Sequence, residues 1–178
     1  MARADREKLG QVVEVDETYI GGLEEGKQGR GAEKKSLVVL AVELTSDHKR
    51  MGRIRIAVIP DASSSSLIPF INQNVVPDSL VVTDGWKGYL PLRNEKFRHD
   101  IKIMKKDKDL LPHVHLVLSL IKRWSLGTFQ GSINHNYLNY YLDEFVFRFN
   151  RRTSSSCGKL FRRLMEQAVN TPPVTRKE

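Results

Sequence analysis

The 178-residue sequence contains a single cysteine, Cys157. A lone thiol excludes an internal disulfide framework and a paired Cys-x-x-Cys zinc ribbon, and it suits a reducing compartment. No apolar run approaches the ~20 residues of a membrane-spanning helix. The opening Met1-Ala-Arg-Ala-Asp-Arg-Glu-Lys8 has no hydrophobic core of a secretion signal, so the expected location is the cytoplasm. Acid is the scarcer charge: 21 Asp and Glu stand against 29 Lys and Arg, a formal net charge of +8. That balance favours a polyanionic partner, nucleic acid before membrane, because no amphipathic basic anchor stands out. There is no internal repeat, and the length suits one domain with a substantial core.

What the chain does contain is a succession of strand and helix patterns. Residues 11–20 alternate and are rich in β-branched side chains, which predicts a strand, with Asp16 in its middle where aspartate is normally depleted. Residues 23–35 are glycine-rich and charged, the pattern of a mobile loop. Residues 36–44 form a continuous apolar run expected of a central strand covered on both faces. After a polar turn, residues 52–59 alternate Arg with apolar side chains, a third strand with one wet face. Residues 63–76 put Leu67, Ile68, Phe70, Ile71 and Val75 on one helical face, with a serine as cap and Pro69 confined to the first turn. Residues 80–84 are a short strand ending in an acid. Residues 93–108 are basic and irregular, with a short strand over 101–104. Helices are expected over 114–126, 137–150 and 159–169, with a turn at 127–132 and a polar joint at 153–158. Residues 1–10 and 171–178 are expected to be tails around one domain, 11–170. Three strands, a helix, a strand, then helices is the order of a ribonuclease H-like α/β domain. In that fold a mixed sheet has its first three strands antiparallel and helices on both faces.

In that order the strands of Asp16 and Asp84 are neighbours, so their carboxylates can meet across the sheet. Two hard oxygen ligands suit Mg²⁺ or Mn²⁺. A pair of such ions about 4 Å apart can activate the attacking oxygen and stabilise the leaving one in phosphodiester cleavage. The helix after Pro112 is apolar almost all round, which implies burial on most sides. The exception is a stripe of His115, Ser119 and Lys122, which project within about 60° of one another. His115 is the candidate third ligand, one that tilts the preference towards Mn²⁺. Lys122, two turns on, is the candidate holder of a phosphate. Each has an ordinary alternative: a strand Asp as salt-bridge partner, Asp84-Gly85 as a turn, the stripe as a wetted helix edge. His113 is expected at the surface or behind the ligands, and Glu17 solvated on the face opposite Asp16. Glu14 shares Asp16's face, a second acid within reach of the site. From residue 122 to 163, eight cations stand against Asp143 and Glu144. Of these, Lys122, Arg123, Arg148, Arg151 and Arg152 are expected to grip DNA phosphates without reading sequence. Trp86, Trp124 and Phe129 suit either a core or stacking on an unpaired base.

Several blocks, in order, carry a resemblance. They are Val13-Glu-Val-Asp-Glu-Thr-Tyr-Ile-Gly-Gly22, Val81-Val-Thr-Asp-Gly-Trp-Lys-Gly-Tyr89, Pro112-His-Val-His115, Leu120-Ile-Lys-Arg-Trp124, Gly127-Thr-Phe-Gln-Gly131 and Tyr141-Leu-Asp-Glu-Phe-Val-Phe-Arg-Phe-Asn-Arg-Arg152. With them the chain, from about residue 11 to 169, resembles the catalytic domain of bacterial insertion-sequence transposases of the ISXO-like group. The resemblance implies a DDE-type transposase using two divalent ions, Mg²⁺ or Mn²⁺, to cut and join DNA strands. The implied partners are double-stranded DNA, as element ends and target, and further copies of the chain as a homo-oligomer on DNA, at the nucleoid. It implies Asp16 as first acid and Asp84 as second. His115 then holds the third position, seven residues before Lys122, where many relatives carry Glu and others Asn or His. Full-length relatives also carry an N-terminal zinc-ribbon or helix-turn-helix segment, so the expectation here is a catalytic domain alone. The rival readings are a nuclease that hydrolyses without joining and a DNA-binding remnant without catalysis.

Overall fold

Alternating and β-branched sequence in the first third of the chain produces three long strands, β1 (Val12–Gly21), β2 (Lys35–Leu44) and β3 (Met51–Ile59). The computed structural model describes residues 6–21, 35–45, 47, 49–103, 110–129, 133 and 135–170. Residues 23–34 of the loop expected over 23–35, residues 104–108 of the basic stretch, residues 130–132 of the expected turn, and stretches 1–5 and 171–178 lie outside these, while Lys35 already belongs to β2. Helix α1 (Ser64–Asn74) follows β3 and leads to β4 (Leu80–Thr83), a 3-10 helix over Lys87–Asn94, and β5 (Arg98–Ile101). Three helices complete the chain: α2 (Pro112–Phe129), α3 (Leu138–Phe149) and α4 (Cys157–Val169).

The five strands form one mixed sheet in the order β3-β2-β1-β4-β5. β1, β2 and β3 are antiparallel neighbours, while β1–β4 and β4–β5 run parallel. This is the ribonuclease H-like arrangement expected from the element order. Residues 37–42 of β2 are all buried because both faces of the central strand are covered. Val38, Leu40 and Val42 meet α2 and α3; Val39 and Ala41, with Val13 and Val15 of β1, meet α1. No described helix is long and apolar enough to cross a membrane.

Four local expectations change. The last strand ends at Ile101 instead of beginning there: its extent is set by parallel pairing with β4, from Leu80↔Arg98 to Thr83↔Ile101. Pro69 lies in the second turn of α1, on its exposed side, where the hydrogen bond it cannot make is also exposed. Ser63 occupies the cap position, but its hydroxyl turns to Asp61, which also accepts from the Ser63 N–H and the Ser66 hydroxyl. Finally, α2 buries one stripe only, Val114, Val117, Leu118, Ile121 and Ser125, and leaves Leu116 and Leu126 open. A helix laid flat on a sheet covers one side of its cylinder, however apolar the rest.

Long-range contacts tie down the stretch before β1 and the end of α3. Leu9, within the stretch expected to be a tail, is fully buried and exchanges backbone hydrogen bonds with Asn74 and Val76. At the sheet edge, Asn150 donates to Ile54 O (3.1 Å) and accepts from Ile54 N (2.7 Å), as a neighbouring strand would. Arg152 donates to the carbonyls of Met51 and Gly52. Side chains at the end of α3 thus cap part of β3's outer edge.

Candidate active site

The site is built where α2 crosses β1. Helix α2 starts at Pro112, a good first helical residue, but Leu111 before it offers no side-chain acceptor for the first N–H groups. Glu14 supplies the acceptor from the sheet. Its Oε2 accepts from the N–H groups of His113 (3.0 Å) and Val114 (2.9 Å), and its Oε1 lies 2.8 Å from His113 Nδ1. A buried carboxylate at a helix N-terminus also complements the helix dipole. Glu14 therefore fixes the start of α2 over β1, and His113 is its partner.

Two residues along both elements the next pair meets. His115 Nε2 lies 3.3 Å from Asp16 Oδ2, with Asp16 17% exposed and His115 55%. Asp16 Oδ1 accepts from the Glu17 N–H at 2.9 Å. β4 lies beside β1 with Val12↔Leu80, Val13↔Val81 and Glu14↔Val82 in register. Continued by two residues, that register sets Asp84, just past the end of β4, level with Asp16. Asp84 Oδ1 accepts from the Trp86 N–H at 3.0 Å, which orients it at the strand end. Burial raises the Asp16 pKa; the Glu17 N–H pulls it down, the Asp84 charge pushes it up again, and His115 opposes that, for a net rise. Asp16 thus meets His115, and it lies within the field of the Asp84 charge. Lys122 is not in contact with them: it is exposed on the same side of α2, about 10 Å along the axis from His115.

Among the described residues, no three His, Cys, Asp or Glu groups converge tightly enough to hold an ion as they stand. The pair Asp16 and Asp84 nevertheless fits a hard divalent cation in the chemistry of its donors. The mutual repulsion and burial that raise Asp16 are what a cation between the two carboxylates reverses.

The opposite face of β1 carries a contact that sequence pattern does not mark. Glu17, expected to be solvated, accepts from the hydroxyl of Tyr89 at 2.6 Å. Tyr89 is fully buried, and its pKa is raised well above 10 by burial and then by Glu17, with Asp16 and Asp84 adding to it. Trp86 is structural: its Nε1 donates to Ala62 O at 2.7 Å, over Gly88, where a Cβ would lie 2.6 Å from that same oxygen. Trp124 and Phe129 pack edge to face at 5.3 Å, and Trp124 lies 5.5 Å from Phe145.

The residues expected to grip DNA divide. Lys122 and Arg123 are exposed on α2, and Arg148 is exposed and paired with Glu144 at 2.7 Å. Arg152 is held over the Phe149 ring at 4.1 Å as well as by β3. With Arg123 and Arg148 it rims a groove of about 410 Å³ floored by Trp124, Phe145 and Phe149. Arg151 turns away, over Phe147 at 3.9 Å, towards a cleft beyond β3.

The model of the ISXO2-like transposase domain family matches residues 8–150, well over half of the chain. The chain belongs to that family. No curated protein matches. Among solved structures, the ISXO2-like domain is similar to a chain of the simian T-cell lymphotropic virus intasome in complex with the PP2A regulatory subunit B56 gamma. There the TM-score is 0.58 at 12% identity, covering 96% of this chain and 59% of that one. It is also similar to the catalytic core domain of BIV integrase, with a TM-score of 0.54 at 13% identity, covering 90% of this chain and 97% of that one. At such identities the likeness is one of fold: the ribonuclease H-like sheet of integrase cores. The ISXO2-like domain spans little more than half of the intasome chain.

Proposed function

We propose that residues 11–170 act as one catalytic domain that cuts DNA strands at the ends of an insertion sequence and joins them to a target, with divalent cations at Asp16 and Asp84. The observation that supports this most is the meeting of Asp16 with His115 across β1 and α2, with Asp84 level on the adjoining strand. Asp16 and Asp84 would hold Mg²⁺ or Mn²⁺, which when bound would supply activation of an attacking oxygen and stabilisation of the leaving one. The chain's own residues do the rest by position, since phosphoryl transfer leaves little covalent chemistry to a protein. Asp16 in the middle of β1 and Asp84 just past the end of β4 would hold the cations, His115 completes or tunes the pair, and Glu14 keeps α2 in register so that His115 stays opposite Asp16. Lys122 and Arg123 present cations along α2 to the flanking phosphates. The substrate is double-stranded DNA, and the working form is a homo-oligomer assembled on it.

The test is incubation of a labelled duplex ending in the element's terminus with supercoiled plasmid and Mn²⁺. The reading expects label joined to plasmid, lost on Asp16→Asn or Asp84→Asn. Cleavage without joining establishes the nuclease reading instead. Metal-independent DNA binding with no product, unchanged by Asp16→Ala, establishes the remnant.

A further inference from the structure

On the far side of β3 from the carboxylates, a cleft of about 500 Å³ opens between the segment around Arg6 and Glu7, the strand itself, and the helices α3 and α4. Arg6, Arg53, Arg55, Arg151 and Arg163 line it, against Glu7 and Asp143. Arg53 has carboxylate partners: Glu43 at 2.9 Å and Glu7 at 2.9 Å. Arg55 is placed differently. It is only 5% exposed, and its guanidinium donates to two main-chain carbonyls, Ile54 O (2.9 Å) and Glu7 O (2.7 Å). Burial, then the charges of Arg6 and Arg53, push its pKa down to about 10, with Glu43 and Glu7 opposing them, so it stays protonated at neutral pH. A buried guanidinium bonded to dipoles alone is a costly arrangement, relieved when an anion arrives. Arg163 reaches the cleft from α4, a helix that buries none of its own residues and so is placed there with little packing of its own.

We infer that this cleft is a second phosphate-binding site, which holds the backbone of DNA at the edge of the sheet apart from the carboxylate pair. The inference rests on the reading that the domain acts on DNA. The chemistry fits: a phosphodiester offers two unesterified oxygens to forked guanidinium donors. The placement fits too. Arg55 pairs with Ala41 and Ala41 with Val15, so the backbone at Arg55 stands two strand spacings, about 10 Å, from β1 beside Asp16, and its side chain lies on the opposite face of the sheet. A turn of duplex spans about 34 Å, longer than that separation, so one duplex can pass the edge strand as well as β1.

The test uses the full chain carrying Asp16→Asn, to prevent cutting, and a fluorescent 30-base-pair duplex followed by anisotropy across a salt series. Arg6→Gln with Arg163→Gln removes the two exposed cleft cations; Arg93→Gln with Lys96→Gln is a control of equal charge on the other side of the sheet. The cleft pair is expected to weaken binding at least tenfold at about 0.1 M salt and to lower the slope of log K against log salt by about two. The control is expected to weaken binding less than threefold. Thermal unfolding near that of the parent shows that the cleft variant still folds, and if it does not, Arg163→Lys must restore both folding and affinity. Equal losses in the two pairs overturn the cleft and leave the transposase reading standing. No DNA binding by the parent overturns that reading itself. A parallel arm adds inorganic phosphate alone: stabilisation lost in the cleft pair while DNA affinity is unchanged assigns the cleft to small phosphates and overturns its role with DNA.

Discussion

At the scale of single residues, Asp16 and Glu14 divide the labour of one strand face. Glu14 is buried with three donors on it, so removing it leaves the His113 and Val114 N–H groups without their acceptor. Glu14→Ala is expected to cost about 3 kcal/mol, read as a fall in Tm of about 6–12 °C. Glu144→Ala, which breaks an exposed ion pair with Arg148, is expected to cost less than about 1 kcal/mol. Equal losses from the two variants contradict the clamp. Asp16 is the reverse case. Its folded pKa is raised, so the folded state binds its proton more tightly than the unfolded chain does. Its contribution to stability is therefore full below the ordinary carboxylate range and is lost as pH rises through the raised folded value. Asp16→Asn should then melt with the wild type at about pH 3.5 and a few degrees above it at pH 7, in the absence of divalent cations. A variant less stable at pH 7 speaks against a carboxylate held in tension for a ligand. Asp16 was legible in the sequence because an acid inside a β-branched strand is out of place. Glu14's task was not, because it depends on a helix 99 residues away.

At the scale of elements, the helices are positioned by side chains that answer unfilled backbone groups. The strand β3 is the outer edge of the sheet, and Asn150 fills both the N–H and C=O of Ile54. Asn150→Ala is expected to destabilise by about 1–2 kcal/mol and to speed hydrogen exchange at the Ile54 amide about tenfold relative to amides of β2. Unchanged exchange at Ile54 contradicts the edge cap. Periodicity located α1, α2 and α3 within a few residues, since each puts an apolar stripe on the sheet. It misjudged what lies off that stripe: α2 leaves Leu116 and Leu126 open. It also gave no sign of β5's limits, which the length of β4 imposes.

At the scale of the whole molecule, the order of elements was sufficient to anticipate the mixed sheet, and with it the adjacency of the strands bearing Asp16 and Asp84. Two antiparallel turns of chain followed by a crossover through α1 leave β4 beside β1, and the first acid then stands level with the second. Leu9, Asn150 and the arginine cleft stayed hidden because each joins segments far apart in a chain whose local composition reads only as charged. On this reading the carboxylates of Asp16, within β1, and Asp84, just past β4, form one cation site. The most direct measurement is calorimetric titration of Mn²⁺ into the wild type, Asp16→Asn and Asp84→Asn. Saturable binding in the wild type, weakened at least tenfold by either substitution, is the predicted result; binding equal in all three proteins, or absent from the wild type at millimolar Mn²⁺, contradicts it.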